Sequence, residues 1–169
     1  MSAAAERPAQ AAVSTGDLID FVYDETELID SRRLEDWLAL FAVDGIFWAP
    51  LTPGQPDPDL HTSLFHEDRL LLQLRIERLH SAKAYAQQPL SRCHHVVQRP
   101  QVLEADDAAN RYVVTAKMVY VETRLDEQIV LAGRLTYTLR REDAGLRIVL
   151  RRLDILNCDA ALPSIQCFP

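Results

Sequence analysis

From Arg111 onward, polar and apolar positions alternate over long stretches. Ile129, Leu131, Gly133, Leu135, Tyr137 and Leu139 are apolar or small at every second position, and the residues between them include Arg134, Thr136, Thr138 and Arg140. A period of two over that length predicts a half-buried antiparallel strand. A strand before it is predicted over Arg111 to Arg124, rich in Val, Thr, Tyr and Met. One after it is predicted over Leu146 to Asn157, where Leu146, Ile148 and Leu150 alternate with Arg147 and Arg151. Asp126-Glu127 and Glu142-Asp143-Ala144-Gly145 mark the turns, the latter offering a glycine for a positive φ. Ser91 to Leu103 also has β character, is interrupted at Pro100, and leads into a turn at Asp106 to Asn110. Strands this long twist and curl. Their apolar face needs a cover, which the first half of the chain must supply.

That half reads mainly as helix. Ser14 and Thr15 fit a helix cap with Asp17 in the first turn. Leu18, Ile19, Val22, Leu28 and Ile29 then form an apolar stripe at helical spacing. Asp30-Ser31-Arg32 reads as a bend. Leu34, Trp37, Leu38 and Phe41, at i, i+3, i+4 and i+7, predict a second helix with both aromatics in the core. Ile46 to Ala49 reads as a short strand stopped by Pro50, and Thr62 to His66 as another, with a proline-rich loop from Thr52 to Leu60 between them. Arg69 to His80 fits both periods, and its length and its Leu, Arg and Glu content favour a helix. The expected fold class is α+β: N-terminal helices packed on one face of a curled antiparallel sheet, a cone with an apolar interior.

Bulk properties narrow the function. The 169 residues suit a disordered tail over 1–15 and a single domain over 16–169. A net charge of −7 with no Lys or Arg block argues against nucleic acid or an anionic membrane as the main partner. Three unpatterned cysteines fit reduced thiols in a cytoplasmic protein. The first 15 residues lack the apolar core of a signal peptide, and no apolar run approaches the roughly 20 residues of a membrane span.

Few residues suggest chemistry. Cys93-His94-His95 contains half of a Rieske-type ligand set, but neither Cys158 nor Cys167 is followed by the histidine that would close it. His61 and His66 converge on a metal only in a loop conformation, so a surface pair is the expectation. There is no G-x-S-x-G nucleophile turn and no phosphate-binding glycine loop. His80 and His95 flank the helix-to-sheet transition, and either could meet Asp154 or Tyr23 in the cone as an acid–base pair; a structural histidine is the favoured expectation. Arg75, Arg78, Arg92, Arg151 and Arg152 stand among apolar neighbours in an acidic chain, a setting for bidentate contacts to carboxylates of this fold or of a neighbouring subunit.

Several stretches, in order, resemble the small (beta) subunit of the aromatic-ring-hydroxylating, Rieske non-haem iron dioxygenases. They are Leu34 to Phe41 with Asp44-Gly45 and Phe47 to Pro50, then Leu74 to Leu79, Pro89 with Ser91 to Val97, Gly133-Arg134, and Leu150 to Asn157. The resemblance spans about residues 17 to 160. Cys93, where that family usually has threonine, and Gln98-Arg99-Pro100 depart from the pattern. The resemblance implies a nuclear-transport-factor-2-like cone and a structural subunit without catalytic, cofactor or metal residues. It further implies a large alpha subunit as partner, typically in an α3β3 hexamer with beta–beta contacts. That partner would hold the Rieske [2Fe-2S] cluster and a mononuclear Fe(II), fed with NAD(P)H electrons by separate reductase components. Trp48, Pro50, Arg75, Arg78, Arg92 and His95, which lie in the matching motifs, are the expected subunit-interface residues. The alternative is a stand-alone isomerase or dehydratase of the same fold, using a pocket His/Asp pair.

Overall fold

The computed structural model describes residues 12–81 and 89–169. In chain order these form α1 (Thr15–Asp30), α2 (Leu34–Ala39), β1 (Phe41–Pro50), β2 (Ser63–Asp68), α3 (Arg69–His80), β3 (Arg92–Asp106), β4 (Arg111–Arg124), β5 (Glu127–Glu142) and β6 (Gly145–Ile155). Residues 1–11 of the expected tail, and Gln87 and Gln88, lie outside the described residues.

Each helix has a local reason to start or stop. Ser14 and Asp17 form a reciprocal capping box at the start of α1. Its end is a Schellman turn: Arg32 takes φ 57°, and the Arg32 and Arg33 amides donate back to the Ile29 and Leu28 carbonyls. The Asp68 carboxylate caps α3 by accepting from the Leu71 amide. Arg69 to His80 is therefore helical, as its composition favours, and it buries Leu72, Ile76 and Leu79 on one face.

The strands build one sheet of six, ordered β2-β1-β6-β5-β4-β3. The four long C-terminal strands pair antiparallel in sequence order, as their patterns predict. The sheet is nevertheless mixed, because β1 runs parallel to β6. Here the expectation for Phe41 is corrected. It opens β1 and does not extend the second helix, which ends at Ala39. The Ile148 amide donates to the Leu40 carbonyl at 2.8 Å, so pairing with β6 begins where the helix stops. Phe41 still packs edge-on against Trp37, with ring centroids 5.1 Å apart, and so looks helical in sequence. In β3, Pro100 does not end the strand; the register shifts between Gln98 and Gln101, with Arg99 at φ 40°.

The helices cover the inner face of the sheet, giving the expected α+β architecture. Leu18, Val22, Trp37, Phe47, Leu135 and Leu153 are all fully buried in this one core. Two glycines allow close backbone approach. A Cβ on Gly45 would lie 2.5 Å from the Ile148 carbonyl oxygen, and one on Gly133 would lie 2.6 Å from that of Asp154. Gly133→Ala must part β5 from β6 and is expected to cost about 1–3 kcal/mol in urea denaturation. Gly16→Ala, where the new methyl meets only the Ser14 hydroxyl at 3.5 Å, is expected to leave stability unchanged or raise it by up to about 1 kcal/mol.

Candidate functional site

The interior is closed around a buried ion pair. Glu25 continues the inward stripe of α1, and Arg151 points inward from β6 beside Ile148 and Leu153. Both side chains are 0% exposed, and Arg151 Nε donates to Glu25 Oε1 at 2.8 Å. Trp37 Nε1 donates to the same oxygen at 2.5 Å, and the Tyr137 hydroxyl donates to Oε2 at 2.8 Å. The guanidinium also lies 4.9 Å from the centre of the Phe47 ring. Burial pulls the Arg151 pKa down, but the Glu25 carboxylate more than reverses this, so the charge is secured. Burial, and then the Glu25 charge, push the Tyr137 hydroxyl well above its usual range.

The C-terminal segment plugs the remaining space. Arg151 Nη1 donates to the Pro169 carbonyl at 2.6 Å, and Arg75 Nη2 to the Cys167 carbonyl at 2.7 Å. Phe168 is fully buried, with its ring 4.5 Å from that of Trp37. The amides of Gln166 and Cys167 donate to the Glu122 carboxylate, which also accepts from the Tyr120 hydroxyl.

His95 is held by Asp30 and not by Asp154 or Tyr23. Its Nδ1 lies 2.7 Å from Asp30 Oδ1, and its backbone amide donates to Oδ2 at 2.8 Å. Asp154 faces outward from β6, between the inward Leu153 and Ile155, where two hydrogen bonds of 2.7 Å join it to Arg152. Tyr23 is 42% exposed, and His80 sits at the surface against Glu35. The alternative His95–Asp154 pair does not form, and His95 instead joins Asp30 in a clamp between α1 and β3. The His95 side chain is 0% exposed and its Nε2 meets no hydrogen-bond partner. A general base needs hydrogen-bond reach to a substrate proton, and this nitrogen is buried, in a ring packed 5.0 Å from that of Tyr120.

No group of three or more His, Cys, Asp or Glu among the described residues is arranged to hold a metal ion. Cys93 and His95, the C-x-H half-set of Rieske type, share the inner face of β3, but His95 Nδ1 is engaged by Asp30, and His94, 71% exposed at its side chain, points out. No helix among them is long and apolar enough to cross a membrane.

The six expected interface residues divide by exposure. Trp48 is buried under the Arg152 guanidinium, 4.3 Å from its ring, with Nε1 donating to Ser63. Pro50 is buried at the end of β1. Arg75 is paired with Glu67 and lies 4.5 Å from the rings of both Phe65 and Phe168. His95 is enclosed as described. Arg78 and Arg92 alone are exposed. Arg78 ends a face of α3 on which Leu70 and Leu74, at i−8 and i−4, are 62% and 52% exposed. A second open area lies on the outer sheet face, a groove of about 570 Å³ that includes Val96, Val119, Ala132 and Leu156, with Lys117 and Arg134 beside it.

Residues 24–160 match the family described as ring hydroxylating beta subunit. The chain belongs to that family. The beta subunit is 34% identical over 155 residues to the small oxygenase component of the p-cumate 2,3-dioxygenase system of Pseudomonas putida, covering 90% of this chain and 84% of that one. It is 30% identical to a benzene 1,2-dioxygenase subunit beta of Pseudomonas putida, covering 79% and 76%. Its fold matches the crystallised beta subunit of the benzoate 1,2-dioxygenase of Burkholderia mallei with a TM-score of 0.74 at 21% identity, covering 94% and 100%.

Sequence reasoning missed Glu25, although it falls on the Leu18, Val22, Ile29 stripe where a carboxylate needs a partner. It also missed the plug from Ile165 to Pro169, which has no periodic pattern. Phe168→Ala is expected to cost about 3–5 kcal/mol in urea denaturation; a loss below about 1 kcal/mol would mean that the segment does not fill the core.

Proposed function

We propose that this chain is the structural, non-catalytic small subunit of a multicomponent aromatic-ring-hydroxylating dioxygenase in aromatic-compound catabolism. Its work is to assemble with and stabilise a large alpha subunit in the cytoplasm. That partner holds the Rieske cluster and the mononuclear iron, receives NAD(P)H electrons through reductase components, and forms an α3β3 hexamer with this chain. The observation that carries the reading is an interior filled by the chain's own tail, with open apolar surface left outside, in a member of this family. An enclosed His95 offers no reacting group to a substrate.

The alpha subunit docks on the exposed face of α3, where Leu70 and Leu74 supply apolar area and Arg78 supplies a charged anchor. Arg92, exposed at the start of β3, is a second contact. Beta–beta contacts use the outer groove at Val96, Val119 and Leu156. The four enclosed motif residues, Trp48, Pro50, Arg75 and His95, support these surfaces from within.

Co-expression of this chain with its large subunit, followed by light scattering and iron analysis, tests the proposal. Assembly should yield a complex whose iron stays with the large subunit. Arg78→Ala should weaken assembly roughly tenfold, about 1.4 kcal/mol, with iron per large subunit unchanged. Leu74→Asp should weaken it further while the isolated chain stays folded. Full assembly of both variants would remove α3 as the docking face, and iron bound by this chain alone would contradict the non-catalytic assignment.

A further inference from the structure

Cys93 and Cys167, 74 positions apart in sequence, are brought together by the fold. Cys93 lies on β3 directly opposite Glu122 of β4. The tail returns to the same carboxylate, where the Cys167 amide donates to Glu122 Oε2 at 3.1 Å. Glu122 therefore fixes both cysteine backbones, one through the strand ladder and the other through its side chain. There the two thiols are near enough that each shifts the other's titration. All three cysteines are free thiols, and Cys158 takes no part in this contact.

The neighbouring Cys167, together with burial, pushes the Cys93 thiol far up. Cys167 is held below the usual thiol value chiefly by the neighbouring Cys93 thiol, helped by Arg32 and the Tyr120 hydroxyl against burial and Glu122. Cys167 itself is only 4% exposed, whereas Cys93 is partly open, so a small reagent arrives from the Cys93 side.

We propose that Cys93 and Cys167 form an oxidisable dithiol, a modification site at which hydrogen peroxide closes a disulfide between β3 and the C-terminal plug. The Cys167 thiolate attacks one peroxide oxygen, the O–O bond breaks, and a sulfenic acid forms. The departing hydroxide takes the Cys93 proton and leaves as water. The Cys93 thiolate then attacks the sulfenic sulfur; the S–S bond forms, and the expelled hydroxide takes a solvent proton as a second water. Two electrons pass from the sulfurs to the peroxide. The bond ties down the segment that fills the cone, independently of any partner subunit.

The test uses the full chain treated with hydrogen peroxide, then alkylated with N-ethylmaleimide in denaturant and digested without reductant. Before alkylation the oxidised chain should lose about 2 Da. The Cys93 and Cys167 peptides should be joined, Cys158 alone should be alkylated, and dithiothreitol should reverse the change. The denaturation midpoint of the oxidised chain should rise. Cys158→Ser should behave as the parent, and Cys93→Ser should give neither the cross-link nor the rise. Alkylation of both Cys93 and Cys167 after peroxide, sulfinic acid on either one alone, or a disulfide joining two chains would overturn the proposal.

Discussion

The structure depends on a charge pair sealed from water. Glu25 and Arg151 are both 0% exposed, and removing two charges from solvent costs several kcal/mol per ion before their attraction repays any of it. The arrangement holds because the charges are almost fully surrounded by partners. Glu25 accepts from Arg151, Trp37 and Tyr137, while Arg151 also reaches Pro169 and stacks over Phe47. The contacts join α1, α2, β1, β5, β6 and the tail at one point. An apolar substitute of equal volume would tolerate small slips of each element; a paired carboxylate and guanidinium with fixed hydrogen-bond directions tolerates far less.

Closing the interior this way shapes what the chain can do. A cone lined by inward side chains is a natural pocket, yet here Phe168 and the Cys167 backbone occupy it, secured by Arg75 and Glu122. His95 and Asp30, the right residue types for acid–base chemistry, instead clamp the end of α1 to β3. What remains available is outside: the leucine face of α3 and the groove on the outer sheet. A subunit that works through its surface is the economical reading of such a body.

Much of the fold was legible because strand period and helix caps are local signals. The alternation from Ile129 to Leu139 survives intact in β5, and Ser14 with Asp17 caps α1. Phe41 misled because a core aromatic just after a helix keeps helical spacing while its backbone is already extended. The alternative pairing of His95 with Asp154 failed because an irregularity in the β5–β6 ladder shifts the alternation after Ile148, so that Arg151, Leu153 and Ile155 turn inward and Asp154 outward. Arg75, Arg151 and Arg152 were recognisable as seekers of carboxylates, and all three find them within the chain: Glu67, Glu25 and Asp154. Their partners were not recognisable, because the Arg151–Glu25 contact joins residues 126 positions apart. The plug was illegible for the same reason: nothing in Ile165 to Pro169 reveals that it folds back into the core.

The most direct measurement is a double-mutant cycle on the pair, with Glu25→Gln, Arg151→Met and their combination compared by urea denaturation. Each single change strands a buried group and is expected to cost about 3–5 kcal/mol. The double variant should cost clearly less than the sum, with a coupling of about 2–3 kcal/mol. Additive losses, or single losses below about 1 kcal/mol, would contradict the claim that this pair is the constraint around which the fold is set.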